Sequence, residues 1–105
     1  MAMTPSDFEN LADKMLERIA RVVEESGAEC DCEPKGSGVL EIEFSDGSRI
    51  IVNRHAAAQE IWVAARSGGY HFRFDGSGWV DTRDKRELLA ALSALVAEQS
   101  RTAGS

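Results

Sequence analysis

The sequence predicts an α+β fold, a two-layer sandwich with an N-terminal and a C-terminal helix on one face of an antiparallel sheet of about six strands. Three observations predict it. Apolar residues recur every three or four positions near the start of the chain and again near its end. Between these segments, apolar and polar residues alternate in short runs separated by glycine-containing turns. Because such short turns join antiparallel neighbours, the strands form one sheet and both helices cover the same face.

The first helix is predicted over residues 7–26. Ser6, or Thr4 before Pro5, can cap its N-terminus, and Gly27 is a suitable stop. The buried stripe of this helix consists of Phe8, Leu11, Met15, Leu16, Ile19, Val22 and Val23.

Six strands follow, and turn residues separate them. The runs of alternating or β-prone residues lie at 29–33, 39–44, 49–54, 60–66, 70–75 and 79–81. Asp46-Gly47 is a strong hairpin signal between the second and third runs. Alternation places Leu40, Ile42 and Phe44 towards the helices, so the other face of the sheet remains open to solvent or to a partner.

The chain ends in a second helix. Asp84 and Glu87 fit a capping box, and Leu88, Leu92, Leu95 and Val96 form its apolar stripe. The 105 residues form one domain, 1–105. Residues 1–5 and 99–105 are expected to fray, since the C-terminal segment is small and polar.

The charge balance of the chain restricts its partners. Eighteen acidic against twelve basic residues leave a net charge of -6, which repels nucleic acid and favours cations or basic protein surfaces. No segment approaches the roughly 20 apolar residues that span a membrane. The first seven residues carry no positive charge and no apolar stretch, so no signal peptide is predicted and a cytoplasmic location is expected.

Cys30 and Cys32 are expected to be small, half-buried, reduced residues.

Acidic residues cluster on one side of the first helix. On a helical wheel, Glu9, Asp13, Glu17 and Glu24 fall within about 80°. If the first strand pairs at the sheet edge beside this helix, one acidic ridge results, formed by Glu9, Asp13, Glu17, Glu24, Glu25, Glu29, Asp31 and Glu33. Exposed carboxylates bind hard, hydrated cations with modest affinity. The alternative is a solvated helix face without a function. Glu24 and Glu25 oppose the helix dipole at a cost of ~0.3–1 kcal/mol, which favours a functional reason.

Signatures of an enzyme are missing from the sequence. It contains no nucleophile elbow, P-loop, H-E-x-x-H motif or dinucleotide fingerprint, and His55 and His71 are expected to be structural. Carboxylates without a burying pocket are poor acid–base catalysts, so no enzymatic activity is expected. Alternation puts Trp62 opposite Ile61 and Val63. Trp62 therefore either lies on the open face as an interface anchor or, in the reverse assignment, belongs to the core.

Several segments together resemble the frataxin family in its bacterial form. These are residues 38–44 (GVLEIEF), 46–54 (DGSRIIVNR), 61–64 (IWVA) and 68–72 (GGYHF). The Phe8-x-x-Leu11-Ala12-Asp13 start, the Asp31-Cys32-Glu33 strand and Trp79 fit as well. The resemblance covers residues 4 to about 98 in the same order and spacing.

The resemblance implies a non-catalytic regulator or iron donor in iron–sulfur cluster assembly. It implies weak binding of ferrous or ferric iron along the acidic ridge, where other hard cations can substitute, and docking of a cysteine desulfurase on the same ridge. It places contact with the assembly scaffold on the open sheet face, at Asn53, Arg54, Glu60 and Trp62. It thereby favours the exposed assignment of Trp62. A monomer is the default, and metal-dependent oligomers are an open alternative.

This chain departs from the family pattern at three places. The segment Asn53-Arg54-His55-Ala56-Ala57 lacks the glutamine and the proline that often follow the Asn-Arg pair, and Glu60 replaces a glutamine. Ala20-Arg21 replaces an acidic pair of some relatives, which thins the ridge. A second functional hypothesis is a protein-interaction module whose acidic face binds a basic partner, with metal binding incidental.

Overall fold

The computed structural model describes residues 3–103; Met1, Ala2, Gly104 and Ser105 lie outside the described residues. It confirms the predicted fold class and element order. The elements are α1 (Pro5–Glu25), β1 (Cys30–Pro34), β2 (Val39–Phe44), β3 (Arg49–His55), β4 (Glu60–Ala65), β5 (Gly68–Phe74), β6 (Trp79–Asp81) and α2 (Leu88–Ala103). Predicted and observed boundaries differ by one or two residues for most elements. No helix in residues 3–103 is long and apolar enough to cross a membrane.

Helix α1 begins where the sequence provides a capping hydroxyl. Thr4 is the N-cap, and its Oγ1 accepts a hydrogen bond from the Asp7 amide at 3.1 Å. Pro5 occupies the first turn, where its missing N–H costs no helical hydrogen bond. The helix ends before Gly27, whose φ of 77° suits glycine. Its core-facing residues are Phe8, Ala12, Leu16, Ile19 and Val23.

The sheet is a meander in which every strand pairs antiparallel with its sequence neighbour, in the order β1-β2-β3-β4-β5-β6. One face is covered by both helices and carries the core. That core includes Leu40, Ile42, Phe44, Ile50, Val52, Ile61, Val63, Phe72 and Trp79, packed with the apolar stripes of α1 and α2. Alternation leaves the other face open, as predicted.

The predicted capping box at the second helix is wrong. Lys85 has a φ of 66°, which is incompatible with a right-handed helix at this position, and α2 starts only at Leu88. Glu87 itself caps α2, because its carboxylate accepts hydrogen bonds from the amides of Leu89 at 2.8 Å and Ala90 at 3.1 Å. Asp84 accepts instead from the Arg86 amide, within the loop.

The fraying expected of residues 1–5 and 99–105 stays a prediction, but the described parts of both segments make contacts with the rest of the chain. Helix α2 continues to Ala103. Gln99 is only 4% exposed, and its side-chain amide forms hydrogen bonds with the β2–β3 and β4–β5 turns. At the other end, the Met3 carbonyl accepts from Gln59 Nε2 at 3.0 Å, and Met3 packs against the core. The remaining residues of the two predicted tails lie outside the described part.

Candidate functional site

The acidic ridge is an exposed surface along α1 and β1. Glu9, Glu17, Glu24, Glu25, Glu29, Asp31 and Glu33 are exposed, and Asp13 is half-buried. Five of the eight carboxylates make no ion pair or side-chain hydrogen bond within residues 3–103: Glu17, Glu24, Glu25, Glu29 and Asp31. The C-terminal half of α1 and the start of β1 therefore carry the uncompensated negative charge.

The N-terminal end of the ridge is neutralised by Arg54. Its guanidinium forms a hydrogen-bonded ion pair with Asp13, lies 3.7 Å from Glu9 Oε1, and donates to Ser37 Oγ at 2.9 Å. The arginine fits there because Gly38 has no side chain; a Cβ at that position would lie 2.7 Å from Arg54 Cγ. Arg54, expected beside Trp62, thus lies on the helix side of the sheet, where it holds α1 against β3.

The β1 part of the ridge points towards the open face of the sheet. Asp31 lies opposite Glu43 and Glu33 opposite Glu41 in the β1–β2 register. Like charges directly opposite each other destabilise a strand pair. Arg49 and Lys35 moderate the repulsion. The guanidinium of Arg49 contacts both glutamates of β2, with Nε 3.3 Å from Glu41 Oε1 and Nη2 3.4 Å from Glu43 Oε2. Lys35 lies 2.8 Å from Glu33, and its hydrogen bond lowers the pKa of that carboxyl.

The sequence prediction of the ridge omitted Glu41 and Glu43. The signal for them was present, because the inward assignment of Leu40, Ile42 and Phe44 turns both glutamates outward. Only the register of β1 on β2 shows that they extend the acidic surface.

The ridge is not an enclosed metal site. Within residues 3–103, no group of three or more metal-binding side chains converges on one point. Glu24 nevertheless lies close enough to β1 to influence a thiol there. Burial, the neighbouring Cys30 and then the Glu24 charge raise the pKa of Cys32 to about 11. Both cysteines are half-buried and free, in agreement with the expectation.

Trp62 lies on the open face at the centre of a stack of three rings. The His55 ring lies 3.8 Å from the indole on one side and the His71 ring 4.4 Å on the other, measured between centroids. The planes differ by only 10° and 9°. Ile61 and Val63 are buried in the core, so Trp62 lies on the open face as the resemblance favoured, although its side chain is half-buried by the stack. Because both faces of the indole are covered by histidine rings, mainly its ring edge is accessible.

The Glu60 carboxylate contacts two of the three stacked residues, Trp62 and His71. Its Oε1 accepts the indole Nε1–H of Trp62 at 2.8 Å, and its Oε2 accepts from Arg73 Nη2 at 2.7 Å. His71 Nδ1 lies 3.7 Å from Glu60 Oε1. Asn53, which pairs with Trp62 across β3 and β4, is half-buried on the same face. We call the set His55, Glu60, Trp62, His71 and Arg73 the Trp62 cluster.

The sequence indicated only two members of the Trp62 cluster. His55 and His71 were expected to have separate structural roles, because the sequence predicted His55 in a loop and His71 in a strand; in the structure His55 is the last residue of β3. The register brings them together: His71 is the direct partner of Trp62 on β5, and His55 lies on β3 two positions from the residue opposite Trp62. The predicted third strand ended at residue 54, so His55 was not assigned to a face of the sheet, and the stacking also depends on side-chain conformations that no sequence pattern reports.

Comparisons with known proteins agree with the fold and with the segments that carry the resemblance. A family model described as "Frataxin-like domain" matches residues 1–102. The chain belongs to the frataxin family.

Curated relatives cover nearly the whole chain. The chain is similar to the "Iron-sulfur cluster assembly protein CyaY" of Dechloromonas aromatica, 54% identical over 98 residues and covering 93% of each chain. The protein of the same name from Cupriavidus pinatubonensis is 52% identical over 104 residues, covering 96% of this chain and 94% of its own. The predicted family membership is therefore confirmed.

Solved frataxin structures share the architecture. Frataxin from Psychromonas ingrahamii superimposes with a TM-score of 0.86 at 33% identity, covering 94% of this chain and 93% of its own. A yeast frataxin from Saccharomyces cerevisiae, described as trimeric and complexed with ferrous, shows the same fold at 23% identity with a TM-score of 0.71. It covers 97% of this chain and 89% of its own.

Proposed function

We propose that this frataxin-family protein is a non-catalytic participant in iron–sulfur cluster assembly that binds iron weakly and docks a cysteine desulfurase through its acidic ridge. The observation that carries the proposal is a run of carboxylates without an ion-pair partner in the described part of the chain, residues 3–103: Glu17, Glu24, Glu25, Glu29 and Asp31. The name shared by the curated relatives supports the pathway.

The ridge has the chemistry of a weak cation site. Carboxylate oxygens are hard ligands that suit iron and other hydrated cations. Since no three of the described metal-binding side chains converge, a bound ion would keep much of its water, and affinity would be modest. Other hard cations are expected to compete. Loosely held iron can be transferred to a partner. A metal ion that bridges the exposed ridges of two molecules would lead to metal-dependent association of an otherwise monomeric protein.

The two surfaces suit two different partners. The ridge is complementary to a basic surface, which is the expected property of the desulfurase contact. The Trp62 cluster offers an aromatic, hydrogen-bonded platform on the open face, and aromatic residues with neighbouring arginine are frequent interface anchors. We assign this face to the assembly scaffold. Neither surface encloses a pocket around an acid–base pair, which supports a role in binding.

A second candidate is a protein-interaction module for which metal binding is incidental. The Arg54 contacts favour it, because they withdraw Glu9 and Asp13 from the cation surface. Under this hypothesis the ridge still docks the desulfurase. Metal would then have no effect on docking, or would compete with it.

An amide NMR titration tests the proposal. Ferrous iron under argon, and then a diamagnetic lanthanide, should change signals only within residues 9–33 and the adjacent Glu41 and Glu43. The Glu24→Gln/Glu25→Gln variant should weaken both responses. The control Asp84→Asn/Glu98→Gln, which removes the same charge elsewhere, should not. No localised change at millimolar metal would reject iron binding by the ridge.

Desulfurase binding separates the two candidates. Neutralising Glu24, Glu25, Asp31 and Glu33 should abolish desulfurase binding under both hypotheses. Repeating the binding measurement with ferrous iron present distinguishes them. Tighter desulfurase binding in the presence of ferrous iron favours iron handling, whereas unchanged or weakened binding favours the interaction module.

A further inference from the structure

A cleft of about 400 Å³ lies on the side of α1 away from the ridge, between this helix, the β5–β6 turn and the start of α2. Its lining is apolar at the floor, where Leu11, Met15, Phe74 and Leu89 are partly buried against the core. Trp79 closes the bottom and is 2% exposed, with its ring 5.4 Å from that of Phe74. The volume is within the roughly 300–1,000 Å³ typical of ligand sites.

Two cations at the rim of the cleft have no counter-ion. Lys14 and Arg18 line the cleft, are exposed, and form no ion pair within residues 3–103. They are four residues apart on α1, so the like charges repel each other by ~0.2–0.5 kcal/mol. Arg21 continues the same side of the helix one turn further. In a protein of net charge -6, such an uncompensated basic stripe is a local exception.

The acidic residue in the lining does not neutralise these cations. The Glu87 carboxylate is engaged by the first amides of α2, at 2.8 Å and 3.1 Å. Asp75, in the turn beside the cleft, accepts from the amides of Ser77 and Gly78, which lowers the pKa of its carboxyl. Both carboxylates keep their negative charge, but each is hydrogen-bonded to backbone amides and neither forms an ion pair with Lys14 or Arg18, so the donors of the two cations remain available to a ligand.

We propose that this cleft binds an acidic peptide segment of a protein partner, with one large apolar side chain on the floor and flanking carboxylates on Lys14 and Arg18. An open groove of this size accepts one or two side chains of an extended chain. The net negative charge of the protein disfavours extended polyanions and anionic membranes, whereas a short acidic segment meets mainly the local basic stripe. The site is distinct from the ridge and from the Trp62 cluster and does not depend on the proposed function.

The test uses a capped hexapeptide of aspartate and glutamate with one central phenylalanine, titrated into the protein and followed by amide and indole NMR signals. Shifts are expected at residues 11–18, 74–79 and 87–89 and at the Trp79 indole, with the Trp62 indole unchanged. A peptide with serine in place of phenylalanine, and one with lysine in place of the acids, should bind much more weakly.

Matched variants make the test specific. Lys14→Glu/Arg18→Glu should weaken binding about tenfold or more, whereas Lys35→Glu/Arg66→Glu, with the same change in net charge, should leave it within about twofold. Should the first variant be poorly folded, Lys14→Gln/Arg18→Gln serves the same purpose. Equal weakening by both double variants, or shifts confined to other surfaces, would overturn the proposal. Binding of vesicles containing anionic lipid in preference to the peptide would overturn it as well.

Discussion

Single residues decide how much of the acidic surface is available to a cation. Arg54 is the main example, since its side chain is 17% exposed and contacts Glu9, Asp13 and Ser37 at once. Arg49 also contacts two carboxylates, but its side chain is 53% exposed. Solvent screens the second arrangement more than the first. The two arginines therefore differ in role, although both pair with acids.

Replacing Arg54 with glutamine should lower the free energy of unfolding by about 1 kcal/mol, because three contacts between α1, β3 and the β1–β2 loop are lost. It should also release Glu9 and Asp13 and so extend the cation-binding surface towards the start of α1. Urea unfolding and a lanthanide titration measure the two effects. Arg49→Gln is the control and should change stability by less than about 0.5 kcal/mol. Equal losses for the two variants would contradict the assigned role of Arg54.

The Cys32 thiol reports on the charge of the neighbouring ridge. Its pKa of about 11 means that the thiol is protonated at neutral pH, so alkylation should be slow and should accelerate as pH rises towards that value. Glu24→Gln removes one cause of the raised pKa and should speed alkylation at a fixed pH of about 9. A cation bound at Glu24 should act in the same direction. Iodoacetamide kinetics at Cys32, with Cys30→Ser as background, measure both; slower alkylation of the glutamine variant would refute the proximity of Glu24.

At the scale of elements, sequence periodicity predicts what is local and fails where contacts are distant. The stripe of α1 and the alternation of β2 are local patterns, so their elements and inward faces were predictable. The Arg54–Asp13 contact joins residues 41 positions apart, and the ring stack joins three strands. Both depend on register and on side-chain conformation, which periodicity does not contain.

The end of α2 shows the same difference between local and distant information. Residues from Gln99 onward are small and polar, which suggests a free tail. In the structure, Gln99 Nε2 donates to Ser48 Oγ at 3.0 Å and to the Arg49 carbonyl at 3.2 Å, while Oε1 accepts from the Arg66 amide at 3.3 Å. One buried amide thereby joins α2 to the β2–β3 and β4–β5 turns.

Gln99→Ala should therefore cost about 1–3 kcal/mol of stability, because it removes three hydrogen bonds made by a buried amide and leaves their part-buried partners to find other groups. Glu98→Ala, at the exposed neighbouring position, should change stability by no more than about 0.5 kcal/mol. Thermal or urea unfolding measures both. If the two variants were equally stable, the docking of this helical end would be refuted and the free-tail interpretation restored.

For the whole molecule, the distribution of charge links stability to ligands. Among residues 3–103, the ridge carboxylates that form no ion pair lie along the C-terminal half of α1 and at the start of β1, and Glu41 and Glu43 of β2 extend the acidic surface although Arg49 contacts both. Glu24 and Glu25 also oppose the dipole of α1. A folded state that concentrates like charge is less stable than its packing alone would make it, and it gains stability from any cation that binds there.

A hard divalent or trivalent cation should therefore raise the stability of the protein beyond the effect of ionic strength. At ten times its dissociation constant, a cation that binds only the folded state adds about 1.4 kcal/mol, or several degrees in melting temperature. The variant Glu17→Gln/Glu24→Gln/Glu25→Gln/Asp31→Asn should be more stable than the parent without cation, by about 1 kcal/mol, and should lose most of the cation response. Calorimetry with calcium or lanthanum, against sodium chloride at equal ionic strength, measures the difference. An equal gain in stability in parent and variant would place the cation site outside the ridge. If sodium chloride at equal ionic strength gave the same gain, the effect would be screening of surface charge and not cation binding.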